Sequence, residues 1–324
     1  DRPAIIQGET QLSWRDFDTE ADAIVAHLLA SGLQRNAKVG AYLQNCPHYL
    51  VATHAAFKAG LAPFNVNYRY GAEELLYLFD NADAEAIFFH TGYGARIEEI
   101  RARLPQVKTW IAVRQPGFDV PGWAADYDEI AKRTPSPRPV LAPWGRSNDD
   151  LLILYTGGTT GMPKGVMWRI EDQIGVYGFG ATAVLGIPPI STPDEAATRL
   201  GDYPSPVTLV ACPLMHGTGL FSALGTLMQG GTVVLLPARK FDPDSLWTEV
   251  TRHRVTRIAI VGLPFAAPMF EALETNPGRW DTSCVRLIGS SGAMWSLENK
   301  QGLLKHMPQA ILADAFASSE AIGM

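Results

Sequence analysis

Between Tyr155 and Gly165 the chain reads YTGGTTGMPKG, a stretch whose residue types suit one kind of chemistry. Glycines at 157, 158, 161 and 165 let a backbone turn tightly and bring its N–H groups close to a ligand. Thr156, Thr159 and Thr160 add hydroxyl donors, and Lys164 adds a compact positive charge. Amides, hydroxyls and one ammonium on a single turn make a phosphate-binding loop. A hydrogen bond to a charged group is worth roughly 1.5–3 kcal/mol, so several together can hold a polyphosphate. The Walker pattern is excluded, because Pro163 precedes Lys164 and Gly165 follows it where Ser or Thr is required. The strand–GxGxxG–helix order of a dinucleotide fold is absent too.

Three later segments carry further chemical groups. ACPLMHGTGL, Ala211 to Leu220, is an apolar run ending in a loop with His216 and Gly217. An ordinary histidine titrates near neutrality, and the residue type alone leaves a structural role open. GSSGAMWS, Gly289 to Ser296, offers small residues (Ser291, Gly292, Ala293) where a larger Cβ would obstruct a ligand. DAFASSEAIG, Asp314 to Gly323, puts an aromatic ring, hydroxyls and the Glu320 carboxylate in one short stretch.

In this order, the segments resemble the adenylate-forming superfamily of acyl-CoA synthetases, luciferases and peptide-synthetase adenylation domains. The string TGGTTGMPKGVMWR resembles actinobacterial-type fatty-acid and steroid-side-chain acyl-CoA ligases in particular. GAYLQNCPHYL, FKAGLAPFNVNYRY and AEELLYLF match the family's usual order, and the resemblance covers essentially the whole chain. It implies that Thr156, Gly157, Gly158, Thr159, Thr160, Gly161 and Lys164 cradle ATP or AMP. Ser291, Gly292, Ala293, Asp314, Ala315, Phe316, Ala317, Ser318 and Ser319 would complete the nucleotide site. Phe316 would stack on adenine, Ser319 would bond the α-phosphate, and Glu320 would hold Mg²⁺. Thr160, Lys164 and Glu320 are the expected catalytic residues. His216, Gly217, Gly292 and Tyr177 are expected beside the acid, Tyr177 lying in the glycine-bearing helix DQIGVYGFGATAVLG.

Some positions depart from the family pattern. Gly157 replaces a commoner serine, Met294 a proline, Phe316 a tyrosine, Ala317 a glycine and Ser319 a threonine. The implied activity is activation of a carboxylic acid, fatty or steroid-derived, to an acyl-adenylate and then to a coenzyme A thioester. An aryl-CoA ligase, an amino-acid adenylating domain, a silent nucleotide-binding module and an unusual ATPase or phosphotransferase remain alternatives at this point. The resemblance also implies a fragment. The chain stops before the family's ribose-binding aspartate, hinge and C-terminal lid domain, and this piece alone is expected to turn over little.

These loops need a frame. Helix-spaced apolar positions from Ala21 to Leu29, closed by Gly32, predict a first helix, and KVGAYL (Lys38 to Leu43) a strand. Helices follow at His48–Lys58 and in AEELLYLFDNA, with strands at AEAIFFH and Thr109–Val113. DLLILYT, VTLVACPL, TVVLLP, IAIVG and VRLIGSS are apolar throughout, as strands covered on both faces must be. Strand–helix alternation with short links favours parallel pairing. The expected class is therefore α/β, which the resemblance specifies as the large N-terminal domain of the adenylate-forming fold. Two mostly parallel sheets are flanked by helices, with part of a small β-barrel region. The proline-rich run Thr134–Arg146 is read as a connector between a first lobe, 1–146, and a second, 147–324, carrying the ATP and acyl sites. Ile187 to Val207, also rich in proline, is read as a long exposed loop. No internal repeat is evident.

Composition limits the alternatives. A net charge of −6 gives no global attraction for nucleic acid or an anionic membrane. The basic run Arg252–Arg257 is expected as a solvated helix end. Three scattered cysteines, Cys46, Cys212 and Cys284, fit buried thiols in a reducing cytoplasm. No run is apolar for long enough to span a bilayer.

Overall fold

The computed structural model describes residues 2–133, 135, 138–156, 161–175, 185–188, 192–198, 201–315 and 318. The chain divides into two compact units, one of Trp14–Ile170 and one of Asp1–Ser13 with Glu171–Met324. The division therefore falls at 170/171, not at 146, and the first thirteen residues go with the later unit.

The unit Trp14–Ile170 is built on a seven-stranded sheet. Its strands are β3 (Lys38–Tyr42), β4 (Ala62–Asn65), β5 (Ala84–His90), β6 (Thr109–Val113), β7 (Ala125–Asp126), β8 (Leu151–Thr156) and β9 (Lys164–Arg169). They lie in the order β7-β6-β5-β3-β4-β8-β9. All neighbours are parallel except β8 and β9. The helices are α1 (Trp14–Ala30), α2 (Pro47–Lys58), α3 (Ala72–Asn81), α4 (Gly94–Ile100) and α5 (Tyr127–Ala131). β5 is mostly apolar and buried; on one face its Ile87 and Phe89 join a cluster with Leu75, Leu78 and Phe79 of α3. α1 begins at Trp14, ahead of its apolar periodicity, because β2 feeds directly into it.

The proline-rich run does not bridge the units. Arg138 pairs with the buried Asp22 at 2.7 Å, the Val140 N–H donates to Asp22, and the Trp144 indole donates to the Ala59 carbonyl. These contacts lay the run along α1 and α2, so it joins β7 and α5 to β8 within one unit.

The other unit has its own seven-stranded sheet, order β14-β13-β12-β10-β11-β1-β2. Its strands are β1 (Pro3–Gln7), β2 (Thr10–Ser13), β10 (Val207–Val210), β11 (Thr232–Leu235), β12 (Arg257–Ile260), β13 (Leu287–Ser291) and β14 (Ile311–Ala315). Only β1 and β2 pair antiparallel. Its helices are α6 (residues 170–175, beginning at the boundary), α7 (Pro193–Thr198), α8 (Gly217–Met228), α9 (Pro243–His253), α10 (Leu263–Thr275) and α11 (Leu297–His306). α7 lies inside the stretch read as a loop. Trp247, fully buried, ties α9 to α10 by donating to the Met269 carbonyl at 3.0 Å. The basic run splits: Arg252 pairs with Glu9 on the surface, while Arg257 opens β12 and is 7% exposed. Burial lowers the Arg257 pKa to about 10, and the Gln229 side chain accepts from its guanidinium.

Both sheets follow one plan. In each, one strand (β3 or β10) has the strand that follows it in the chain on one side and the next three on the other. In each, an antiparallel pair extends the sheet beyond that following strand, β8–β9 in one and β1–β2 in the other. The fold is thus duplicated where the sequence shows no repeat. The order in which the chain adds strands switches sides between β3 and β5 and between β10 and β12, and open α/β sheets bind ligands at the carboxyl ends of strands at such switch points. No helix among the described residues is long and apolar enough to cross a membrane.

Candidate active site

In the unit Trp14–Ile170 the glycine-rich segment is the connection of a β-hairpin. Thr156 at the end of β8 stands opposite Lys164 at the start of β9, and Tyr155 stands opposite Gly165. The seven residues between Thr156 and Lys164 must therefore turn the chain back on itself, unlike a Walker loop, which leads into a helix. Gly161 has open space around it, and Lys164 is exposed. Gly157, Gly158, Thr159 and Thr160 lie outside the described residues.

The base of this hairpin is pinned by groups that sequence reasoning gave no role. The Asn65 side chain, buried at the end of β4, accepts from the Tyr155 N–H at 2.6 Å and donates to the Tyr155 carbonyl at 2.9 Å. It continues with a side chain the β4–β8 ladder whose backbone register is Phe64↔Ile153. The Tyr155 hydroxyl donates to the Asn81 side chain at 2.8 Å, and the Tyr77 hydroxyl donates to the Pro163 carbonyl. Burial, with Tyr77 and Asp83 adding to it, pushes the Tyr155 phenol up to about 12, so it stays protonated at neutral pH. A Cβ on Gly165 would stand 2.8 Å from Ile153 and 3.0 Å from the Tyr155 ring, so only glycine fits there. Asn65 and Tyr77 fall in FNVNYRY and AEELLYLF, where family likeness was the only signal.

In the other unit, β10 ends in a turn that enters α8. The His216 N–H donates to the Pro213 carbonyl at 3.2 Å, and His216 is the exposed N-cap residue of α8 with Gly217 next. A Cβ on Gly219 would lie 2.4 Å from the Pro213 carbonyl oxygen, so glycine lets the turn fold onto the first turn of the helix.

The GSSGAM segment leaves β13, which lies beyond β12 from β10, and comes near the start of α8. Gly292 has φ +83°, and a Cβ there would lie 3.6 Å from Val261 and 4.0 Å from the Thr218 hydroxyl. The structure thus brings Gly292 near Thr218 in the first turn of α8. Beneath the loop, the Gly262 N–H donates to Ser290 Oγ at 2.9 Å, and the Leu263 N–H to the Met294 carbonyl at 3.1 Å. Gly262, which sequence reasoning passed over, has φ +56°, and a Cβ on it would sit 2.5 Å from the Ala293 carbonyl oxygen.

β14 runs parallel to β13, with Ser290 opposite Asp314 and Ser291 opposite Ala315, so two expected nucleotide segments are adjacent strand ends. The Asp314 carboxylate is taken at one oxygen by the Trp295 indole N–H and at the other by the Lys300 ammonium. Lys300 also lies 5.2 Å from the centre of the Trp295 ring. Ser318 is exposed. Phe316, Ala317, Ser319, Glu320 and Tyr177 lie outside the described residues, and α6 is described only as far as Gly175. No group of three His, Cys, Asp or Glu that could hold a metal occurs among the described residues.

Similar proteins match this chain along its length. It is 33% identical over 330 residues to a medium/long-chain-fatty-acid–CoA/3-oxocholest-4-en-26-oate–CoA ligase of Mycolicibacterium smegmatis, covering 99% of this chain and 58% of that protein. It is also 33% identical over 324 residues to a 3-oxocholest-4-en-26-oate–CoA ligase of Rhodococcus rhodochrous, with the same coverage of each. The chain thus spans less than two thirds of either relative. An anthranilate CoA ligase, AuaEII, solved with anthranoyl-AMP, shares the fold at a TM-score of 0.80 and 17% identity, covering 99% of this chain and 57% of that one. The family model for AMP-binding enzymes matches residues 1–324, so the chain belongs to the AMP-binding enzyme family.

Proposed function

We propose that the protein activates a carboxylic acid, fatty or steroid-derived, with ATP and passes the acyl group to coenzyme A. One observation carries the reading: the loop from Thr156 to Lys164 is a hairpin turn at the carboxyl end of a parallel sheet, its base fixed by a buried asparagine. Pairing of the two ends keeps Thr156 and Lys164 side by side, so that one hydroxyl and one ammonium stand together at the strand ends, as phosphate oxygens require. The named activities of the similar proteins, which act on fatty acids and on 3-oxocholest-4-en-26-oate, supply the acid class.

In the first step a carboxylate oxygen bonds to the α-phosphorus as the bond to pyrophosphate breaks. The carboxylate is already a nucleophile, so no general base is needed, and the protein's work is alignment and charge neutralisation. Thr156, Thr159, Thr160 and Lys164 hold the phosphates, with Gly157, Gly158 and Gly161 providing the turn. Ser291, Gly292 and Ala293 line the base and acyl side, with Asp314, Ala315, Phe316, Ala317, Ser318 and Ser319 following them. His216, Gly217 and Tyr177 flank the acid. Glu320 is the candidate ligand for Mg²⁺, which when bound spreads charge over the phosphate oxygens. In the second step the coenzyme A sulfur bonds to the acyl carbon, AMP leaves, and the thiol proton passes to solvent.

The test is ATP–pyrophosphate exchange by the complete protein across fatty, steroid-derived, aromatic and amino acids. Thr160→Ala, Lys164→Ala and Glu320→Gln are each expected to depress exchange at least about a hundredfold, as losing one transition-state contact does. Unchanged exchange in all three overturns the residue assignment. Release of inorganic phosphate in place of pyrophosphate overturns the reaction.

A further inference from the structure

α3 holds both legs of the hairpin that carries the glycine-rich loop. Tyr77 and Asn81 stand four residues apart on this helix, so they share one side of it, about a turn from each other. The Asn81 side chain accepts from the Tyr155 hydroxyl at 2.8 Å on the entering strand. On the leaving strand the Tyr77 hydroxyl donates to the Pro163 carbonyl at 3.4 Å. The two legs are not held equally. β8 lies inside the sheet between β4 and β9, and Asn65 adds two bonds to the Tyr155 backbone. β9 is an edge strand whose partner is β8 alone. Tyr77 thus gives the exit of the loop a second mooring, where its strand lacks a second neighbour.

What that mooring fixes is the peptide in front of Lys164. The carbonyl and N–H of a trans peptide point opposite ways in one plane, so a Pro163 carbonyl turned to α3 sets the Lys164 N–H away from it. Pro163 is buried, and Lys164, next in the chain, is exposed. Among the described residues no acidic side chain pairs with the Lys164 ammonium, so its aim comes from the backbone that carries it. We propose that Tyr77 is a positioning residue, which through the Pro163 carbonyl aims Lys164 at the β- and γ-phosphates of ATP, the two that AMP lacks. This rests on the nucleotide-binding reading above. A tie that served stability alone would follow bond length instead, and the shorter Tyr155–Asn81 contact would matter more than Tyr77 for every property.

The test is calorimetric titration of the complete protein with Mg·ATP and with AMP, without acid or coenzyme A, alongside urea unfolding. Tyr77→Phe keeps the ring and loses the hydroxyl. It is expected to weaken ATP binding about threefold to tenfold, the worth of one hydrogen bond, while AMP stays within about 1.5-fold. Tyr155→Phe is expected to show the opposite balance, with the larger fall in unfolding midpoint and a change in ATP affinity below about twofold. Adding Tyr77→Phe to Lys164→Ala should shift ATP affinity by less than about 1.5-fold, because the side chain it aims is gone. Unchanged ATP affinity in Tyr77→Phe, equal losses of ATP and AMP, or an undiminished shift in the Lys164→Ala background would each overturn the positioning role and leave the acid-activating reading in place. If the wild type binds neither nucleotide, both fall.

Discussion

Removing the Asn65 side chain tests whether the hairpin base is built as described. Its amide makes two short contacts with the backbone of Tyr155, at 2.6 and 2.9 Å, in a setting where Asn65 is 4% exposed. Asn65→Ala leaves the Tyr155 N–H and carbonyl, which point toward β4, with no partner. A buried polar group without its hydrogen bond costs about 1–3 kcal/mol, and water entering beside the loop relieves part of that. The net loss is expected at about 2–4 kcal/mol, a large share of the ~5–15 kcal/mol that holds a typical domain folded. Asn65→Asp should cost more. It keeps the acceptor for the N–H but sets a negative charge against the Tyr155 carbonyl. Urea unfolding gives the global loss, and hydrogen exchange of the segment 151–156 gives the local one, since Tyr155 should lose protection first. An Asn65→Ala protein within about 0.5 kcal/mol of wild type, with that segment still protected, would show that the ladder does not depend on the side chain.

Three further outcomes follow from the same geometry. Gly262→Ala should lower stability by more than Gly292→Ala, as thermal unfolding would show: both glycines have positive φ, costing about 1–3 kcal/mol for another residue, but only at 262 does the new Cβ strike backbone, 2.5 Å from the Ala293 oxygen. Burial lowers the His54 pKa, although its stacking on Phe17 at 4.7 Å leaves it 3.8 Å from Asp18. A depressed pKa contributes stability that is complete above the unfolded value of about 6.5 and is lost as pH falls through the folded value. Urea midpoints should therefore fall as pH drops below about 6.5, and His54→Gln should flatten that part of the profile; an unchanged slope would refute the assignment. Burial pushes the Cys46 and Cys212 thiols up to about 12, so iodoacetamide at pH 8 should label neither until the chain unfolds.

The four motifs were legible in sequence because each is a short run whose order along the chain carries the family likeness. Geometry around them was not. Ser291 and Ala315 could be named separately, but their adjacency is a register between parallel strands 24 residues apart. Trp295 and Lys300 sit inside or beside a named motif, yet nothing local says that both turn onto Asp314. Asn65 and Gly262 matter through partners distant in sequence, Tyr155 lying 90 residues from Asn65.

The sequence by itself determined that this is an α/β protein and where the main helices of its first part and many of its buried strands run. Apolar periodicity, glycine and proline are local signals, and they act before any distant contact forms. Only the tertiary structure decided which sheet each strand joins. DLLILYT looks the same whether it pairs with β4 or with β10, and it pairs with β4; Pro3–Gln7 reaches across the chain to β11, where Thr232 donates to the Pro3 carbonyl over a separation of 229 residues. Backbone hydrogen bonds between strands are indifferent to side-chain identity. The choice of partner is made by how whole faces pack, which no single stretch of the chain contains.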